Sequence, residues 1–167
     1  MDRKPIIIIG IGNILMHDEG VGVRTVERLA QMALPEYLEV LDGGTSGCNL
    51  VDHVADRDAV IVIDAADGGD APGTITWCDA DELIAAVETP LSLHEFGLLE
   101  TLKMARTLGC APRQTLVLGV QPALISLGLG LSDTIERLIP RLMEIALAEA
   151  ARSAAARLAV RPEATRP

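Results

Sequence analysis

Residues 6–13 read Ile-Ile-Ile-Ile-Gly-Ile-Gly-Asn, and this stretch decides the fold. A continuous run of β-branched residues is typical of a strand that is buried on both faces. Glycines end the run, and the next segment, Val21–Leu34, carries apolar residues at helical spacing until Pro35 closes it. A doubly buried strand that leads into a helix predicts an α/β protein with a parallel sheet.

The same alternation of strands and helices continues along the chain. Further strands are predicted at Tyr37–Leu41, Ala59–Ile63, Thr74–Trp77 and Thr115–Val120, and further helices at Cys48–Ala55, Asp79–Val87, Phe96–Leu108 and from Ser132 or Asp133 onward. The third of these strands is short and alternating, which favours an antiparallel strand at the sheet edge. We predict a single three-layer α/β domain, in which helices cover both faces of a mostly parallel, twisted sheet of about five strands.

The end of the chain is predicted to leave this domain. Pro140 lies inside the last helical segment, where it should kink the helix or remove one of its hydrogen bonds. From about Ala151 the sequence is rich in Ala and Arg, and it ends with prolines. We expect the α/β domain to span residues 1–151 and residues 152–167 to form a frayed tail.

Charge and composition exclude several classes of function. The 167-residue chain has 14 Lys and Arg against 24 Asp and Glu, and its net charge of −10 opposes binding to nucleic acid and to anionic membranes. It has no apolar run near the roughly 20 residues of a membrane span and no N-terminal signal peptide, so we expect a cytoplasmic protein. Cys48, Cys78 and Cys110 contain no Cys-x-x-Cys pair, which argues against a disulfide framework or a structural zinc site.

Acidic residues and a histidine follow the predicted strands. Because the carboxyl ends of parallel strands meet at one edge of a sheet, these residues should lie close together. They are Asp18 and Glu19 after the first strand, Asp42 after the second, Asp64 after the third, and His94 at the start of a later helix. Two carboxylates and one imidazole suit a divalent transition metal, and Glu19, Asp64 and His94 are the best-placed set.

Each of these residues also has a purely structural explanation. Asp18 would serve as a helix N-cap more often than as a ligand, and Glu19 would complement the helix dipole. Asp64 would accept hydrogen bonds from loop amides, and His94 would be a solvated residue of a first helical turn. His17 would be either a weaker fourth contact to the metal or an exposed residue.

A nucleotide-binding domain is the main alternative of a different class. Gly10-x-Gly12 after a first strand and Asp42 after a second strand are features of dinucleotide sites. However, Leu15 occupies the place of the third glycine in that motif. The two carboxylates that directly precede the first helix would also repel a pyrophosphate.

Five motifs, in order along residues 6–150, resemble those of the hydrogenase maturation endopeptidases, which trim the large subunit of nickel–iron hydrogenases. They are Gly10-Ile-Gly-Asn-Ile-Leu-Met-His-Asp-Glu-Gly-Val-Gly22, Leu41-Asp42-Gly43-Gly44-Thr45, Val62-Ile63-Asp64-Ala65, Ser92-Leu93-His94-Glu95-Phe96-Gly97-Leu98 and Leu118-Gly119-Val120-Gln121-Pro122. The first is similar to the family's opening, G-x-G-N-x-L-x-x-D-[DE]-x-x-G. Each motif alone is weak, whereas the ordered set is specific.

The resemblance implies an endopeptidase with Glu19, Asp64 and His94 at the family's metal-binding positions. It implies that the metal is nickel, delivered within the precursor of a nickel–iron hydrogenase large subunit, and that one cut removes a short C-terminal extension. Cadmium or another divalent ion would serve as a surrogate for nickel. We expect a monomer, because the enzyme must engage one large folded partner.

The chemistry of the cut stays open between a metal-dependent and an aspartyl-type mechanism. A divalent ion held by Glu19 and Asp64 would polarise the scissile carbonyl or activate water. Asp42 is our candidate for a general base, although it could equally pin its own turn. Cys48 as a nucleophile lacks a histidine placed to activate it. A third hypothesis is a non-catalytic chaperone that docks on a hydrogenase subunit through the same edge.

Overall fold

Five strands form one sheet in the computed structural model, which describes residues 3–45, 50–82 and 93–160, except for the side chains of 93–96 and 160. The strands are β1 Ile6–Ile11, β2 Leu38–Gly44, β3 Ala59–Ala65, β4 Ile75–Asp79 and β5 Thr115–Val120. Their order is β2-β1-β3-β5-β4, and every neighbouring pair is parallel except β4 and β5. The predicted sheet is confirmed, including its antiparallel edge strand.

Helices cover both faces of this sheet. A 3₁₀ turn at His17–Gly20 leads directly into the first of the α-helices, which are α1 Val21–Leu29, α2 Val51–Val54, α3 Leu93–Thr107, α4 Asp133–Glu136 and α5 Ile139–Val160. One core cluster joins α1 and α5 to the sheet, and a second joins α2 and α3 to the opposite face. The predicted single three-layer α/β domain is therefore confirmed.

The four consecutive isoleucines of β1 are explained by this double covering. Side chains alternate between the two faces of a strand. Ile6 and Ile8 pack in the cluster with α1 and α5, whereas Ile7 and Ile9 pack in the cluster with α2 and α3. All four are completely buried, because this strand has no face toward solvent.

Two helix and strand boundaries differ from their predicted positions. β2 does not stop before its Asp-Gly-Gly sequence but continues to Gly44, since Asp42 still pairs with Gly10 on β1. The first helix ends at Leu29 rather than Leu34. The predicted helices at 48–55 and 79–87 lie partly outside the described residues, and of the former the structure shows α2.

Pro140 neither kinks the last helix nor costs it a hydrogen bond. It is the second residue of α5, where a backbone N–H would have no partner within the helix. The chain instead breaks before it, between Glu136 at the end of α4 and Ile139 at the start of α5. A proline in this position therefore starts a helix.

Residues 152–160 belong to the segment that was expected to fray, and they differ from that expectation. These residues continue α5, because its inner face still reaches the core through Ala154. Near its end, Arg157 pairs with Asp58 at 2.8 Å, which ties the helix to the segment before β3. Residues 161–167 lie outside the described part of the chain.

A buried arginine joins three elements at the amino ends of the strands. Arg57 is only 3% exposed. Its guanidinium donates to the carbonyl of His53 at 2.8 Å and to that of Lys4, and it pairs with Glu39 at 2.8 Å. This cluster stabilises the edge of the sheet opposite to the predicted site.

No helix among residues 3–45, 50–82 and 93–160 is long and apolar enough to cross a membrane.

Candidate active site

Glycines bring Glu19 to the carboxyl end of β1. A Cβ on Gly12 would overlap the backbone carbonyl of Glu19, and a Cβ on Gly10 would overlap that of Gly22. Gly22 in turn touches the carbonyl of Ile63 on β3, so the start of α1 lies directly against both strands. The 3₁₀ turn that carries Glu19 is therefore seated where β1 and β3 end, as predicted.

Asp64 lies at the carboxyl end of β3 and is almost fully enclosed. The residue is 2% exposed, and one carboxylate oxygen, Oδ1, accepts a 2.8 Å hydrogen bond from the N–H of Ala65. This bond to a neighbouring amide agrees with the structural explanation of Asp64 given in the sequence analysis. It occupies one oxygen of a buried carboxylate at the edge where α/β proteins bind their ligands.

His94 is the second residue of α3, and its side chain lies outside the described part of the molecule. The backbone nevertheless indicates its edge of the sheet. After α3 ends, the carbonyl of Cys110 accepts a 2.8 Å bond from Asp56 N–H, close to the amino ends of the strands. A 15-residue helix is about 22 Å long, and a helix that packs along the strands from there begins near the opposite edge. That is the edge of Glu19 and Asp64.

Asp42 is exposed at the end of β2, and its Oδ1 accepts a 2.8 Å hydrogen bond from Gly44 N–H. The bond supports the structural explanation, in which Asp42 holds its own turn. Gly10 of β1 pairs with Asp42 on one side and with Ile63 on the other. Asp42 and Asp64 therefore flank β1, two strand spacings or roughly 10 Å apart. The next residues, 46–49, include Cys48 and lie outside the description.

Asp18 does not cap a helix, contrary to the sequence interpretation. Met16 and Gly20 occupy the cap positions before the 3₁₀ turn and α1. The completely buried carboxylate of Asp18 instead accepts four hydrogen bonds from across the edge: from the N–H groups of Ala123 at 2.9 Å and Leu124 at 2.8 Å, and from the N–H and hydroxyl of Ser132 at 2.6 and 2.8 Å. Asp18 thus fixes both ends of the segment that follows β5.

His17 and its neighbours hold the middle of the same segment. His17 N–H donates to the carbonyl of Gly128 at 3.1 Å, and its Nδ1 lies 2.9 Å from the carbonyl oxygen of Gly130. The N–H of Gly128 donates to Leu15 at 2.8 Å. The imidazole also packs on Gly128, where a Cβ would overlap the ring. His17 is a structural contact and is half-buried.

Gln121 organises the loop after β3, a role that the sequence did not indicate. Its Oε1 accepts from the N–H groups of Gly68 at 2.9 Å and Asp70 at 3.2 Å, and its Nε2 donates to Asp67 at 2.9 Å. The side chain is 8% exposed. This glutamine therefore holds the loop that follows Asp64. The sequence showed only that Gln121 belongs to the motif at the end of β5.

The described side chains do not by themselves form a metal centre. Among the residues whose side chains the structure describes, no three His, Cys, Asp or Glu come together in an arrangement that could hold an ion. Of the predicted set, the structure places Glu19 and Asp64 at neighbouring strand ends and leaves the His94 side chain undescribed. The donor types, carboxylate and imidazole, suit a divalent transition metal.

Comparisons with known proteins identify the family to which this chain belongs. A family model described as hydrogenase maturation protease matches residues 23–149. The chain is 39% identical over 145 residues to the hydrogenase 2 maturation protease of Escherichia coli, which covers 86% of this chain and 88% of the relative. This chain belongs to the hydrogenase maturation protease family. It is an endopeptidase that acts in hydrogenase maturation, as the ordered motifs predicted.

Other relatives agree with this assignment. The hydrogenase expression/formation protein HupM of Azotobacter chroococcum is 42% identical over 146 residues, or 86% of this chain and 70% of the relative. The structure of the hydrogenase maturating endopeptidase HybD from Escherichia coli superimposes with a TM-score of 0.83 over 89% of this chain and 93% of that one, at 39% identity. The [NiFe] hydrogenase maturation protease HybD from Thermococcus kodakarensis gives 0.72 over 86% and 97%, at 26% identity.

The nucleotide-binding alternative loses the observation on which it rested. In a dinucleotide site, the glycines after the first strand let a phosphate approach the backbone. Here the carbonyls of Gly22 and Glu19 occupy that space beside Gly10 and Gly12. The two glycines serve the close packing of α1 and its preceding turn on the sheet.

Proposed function

We propose that this endopeptidase removes a short C-terminal extension from the nickel-loaded precursor of a nickel–iron hydrogenase large subunit. In this proposal Glu19, Asp64 and His94 recognise the nickel, which arrives as part of the substrate. The nickel dependence, the large-subunit partner and the single cut extend the family assignment to a specific reaction. A monomer in the cytoplasm remains our expectation for the enzyme.

The observation that carries the proposal is the enclosure of Asp64 beside the Glu19 turn. Asp64 is 2% exposed at the ligand edge of a parallel sheet, and a carboxylate is a donor that suits a divalent metal. Glu19 reaches this position only because Gly12 and Gly22 allow α1 and its turn to touch the ends of β1 and β3. This packing supports the proposal, because it holds the turn of Glu19 against the end of β3, which carries Asp64.

The reaction divides into recognition and hydrolysis. Nickel near the cut would supply Lewis acidity, which polarises a carbonyl or makes water more acidic. Hydrolysis joins the oxygen of water to the scissile carbonyl carbon and transfers a proton to the leaving amine as the C–N bond breaks. Asp42 is our candidate to accept the proton of the attacking water, because it lies on the same edge and is exposed. Glu19 and Asp64 hold the substrate in register with it.

The proposal is tested by processing of the purified nickel-loaded precursor, followed by mass spectrometry. We expect the wild-type chain to remove the C-terminal extension, and the nickel-free precursor to stay uncut. Asp64→Asn and His94→Ala should abolish the cut while the circular dichroism spectrum stays unchanged. Asp70→Asn, on the exposed loop after β3, and His53→Ala, on α2, are matched controls that should cut normally.

Normal trimming by Asp64→Asn or by His94→Ala would remove these residues from nickel recognition. Complex formation without any loss of mass from the precursor would favour the chaperone hypothesis. Equal cutting of nickel-loaded and nickel-free precursor would refute the dependence on nickel. Asp42→Asn separates the mechanisms, since a general base is required for kcat and a turn-forming residue is not.

A titration of the enzyme alone with nickel and with cadmium tests the ligand set independently of the partner. One-to-one binding that is lost in both Asp64→Asn and His94→Ala would place the two residues in one site. Binding that survives in either variant would show that its residue is not a ligand. NAD, added as a competing ligand, is expected to produce no heat.

A further inference from the structure

The segment that follows β5 exposes apolar side chains beside the candidate active site. Leu124, Ile125, Leu127 and Leu129 are all exposed, the last two at 83% and 70%. Leu15, from the turn after β1, is also exposed and lies next to them, because its carbonyl accepts the N–H of Gly128. We call the segment from Ala123 to Ser132, together with Leu15 beside it, the leucine loop. Surface leucines scattered singly are ordinary, whereas a contiguous group marks an interaction site.

The composition of this stretch sets it apart from the rest of the chain. From Gln114 to Ser132 there is no Asp, Glu, Lys, Arg or His, although 23% of the whole chain is charged and its net charge is −10. Connecting segments usually run over the surface and are polar. An uncharged apolar loop on so acidic a protein is a surface that an acidic partner can approach with less repulsion than it meets from the protein's net negative charge.

The leucine loop is exposed although it is firmly held. Asp18 binds its two ends through Ala123, Leu124 and Ser132, and His17 binds its middle through Gly128 and Gly130. These contacts go almost entirely to main-chain atoms. The leucines are therefore presented to solvent by an ordered backbone, and a partner would lose little conformational entropy of the loop on binding.

The position of the loop connects it to the substrate. Asp18 is adjacent to Glu19 in the same 3₁₀ turn, and Gln121, just before the leucine loop, holds the loop that follows Asp64. A polypeptide that is cut at this edge must lie over the ends of β1, β3 and β5. The loop that leaves β5 is thus continuous with the surface that any substrate of the enzyme contacts.

We propose that the leucine loop is the docking surface for the hydrogenase large-subunit precursor and binds an apolar patch next to its cleavage site. This inference rests on the proposed function and names the surface that selects the partner. It assigns the loop to binding and not to chemistry. Changes in its side chains should therefore alter KM and the dissociation constant and leave kcat in place.

The test compares Leu127→Ser and Leu129→Ser with Leu158→Ser. Leu158 is 71% exposed on α5 and lies outside the loop, so it is matched in chemistry and exposure. For the two loop variants we expect KM and the Kd for the precursor to rise at least about ten-fold, with kcat within about two-fold, as expected for the loss of a buried apolar anchor. Leu158→Ser should keep both values within about two-fold of wild type.

The outcomes separate this inference from the proposed function. Wild-type cleavage with unchanged KM and Kd in the loop variants would refute the docking surface alone. Loop-dependent binding of the precursor without cleavage would refute the proposed function and support the surface. Absence of both binding and cleavage by the wild type would overturn both. Sedimentation that shows a wild-type dimer, lost in Leu127→Ser, would assign the loop to a second copy of this chain and overturn the proposal.

Discussion

Replacing Asp18 with Asn tests whether one buried carboxylate holds the segment after β5. The change is nearly isosteric, so it creates no cavity. It substitutes an acceptor oxygen with an NH₂ group in a place where four donors converge. In its best orientation the amide oxygen keeps the three bonds that Oδ2 accepts. The NH₂ group then faces the N–H of Ser132, which is left without an acceptor.

The cost follows from these contacts. A buried N–H left unpaired costs about 1–3 kcal/mol, and the three surviving bonds lose the additional strength of a charged acceptor. We expect the free energy of unfolding to fall by about 2–4 kcal/mol. For a protein of this size each kcal/mol lowers Tm by about 2–4 °C, so Tm should fall by roughly 5–15 °C. Urea denaturation and calorimetry measure the two quantities.

Hydrogen exchange locates the effect within the molecule. The amides of Ala123, Leu124 and Ser132 should lose protection in Asp18→Asn, whereas the amides of β1 should keep it under conditions where the protein remains folded. Asp70→Asn, an exposed change on the loop after β3, is the control and should shift the unfolding free energy by less than about 0.5 kcal/mol. A fall below about 1 kcal/mol in Asp18→Asn, with protection intact, would refute the assigned role.

Three further substitutions probe other parts of the molecule. Arg57→Lys keeps the charge but cannot make the three contacts of the guanidinium, so urea denaturation should show that the free energy of unfolding falls by about 2–3 kcal/mol. Cleavage per folded molecule should be unchanged, because the Arg57 cluster lies on the opposite edge of the sheet. Gly22→Ala places a methyl group against the carbonyl of Ile63, and the free energy of unfolding should fall by about 3 kcal/mol or more. Most of the processing activity should also be lost, because the change displaces Glu19. Full activity would contradict this packing. Ser132→Ala removes both the cap of α4 and a bond to the buried carboxylate, and thermal unfolding should report a loss of about 1–2 kcal/mol.

The order of strands and helices was predictable because it depends on local patterns. Runs such as Ile6–Ile9 and Thr115–Val120 fix buried strands through their own composition, and the short, alternating Thr74–Trp77 indicated the edge strand. The carboxyl ends of these strands then placed Asp42 and Asp64 on one edge without knowledge of any contact. The helix boundary at Pro140 could not be predicted, because a proline within an apolar helical pattern gives the same sequence signal whether it interrupts a helix or begins one.

The role of Asp18 could not be predicted, since its partners lie more than 100 residues away along the chain. An acidic residue before a helix fits the local N-cap pattern, and only the fold shows that β5 brings other donors closer. The burial of Arg57 could not be predicted for the same reason, because nothing in its neighbourhood in sequence indicates a buried guanidinium. The metal-binding role of Glu19, Asp64 and His94 stays a prediction, supported by placement and family.

The leucine loop is held through its backbone and not through its exposed side chains. Asp18 and His17 form hydrogen bonds with peptide groups of the loop, and the hydroxyl of Ser132 is the one side-chain partner among these bonds. Peptide groups are the same whichever side chains stand between Ala123 and Gly130. Substitutions of Leu124, Ile125, Leu127 or Leu129 therefore leave these hydrogen bonds in place, so the exposed apolar side chains can vary at a small cost in stability. The attachment of the loop and the docking role proposed for it thus rest on different atoms, the first on peptide groups and the second on exposed apolar side chains.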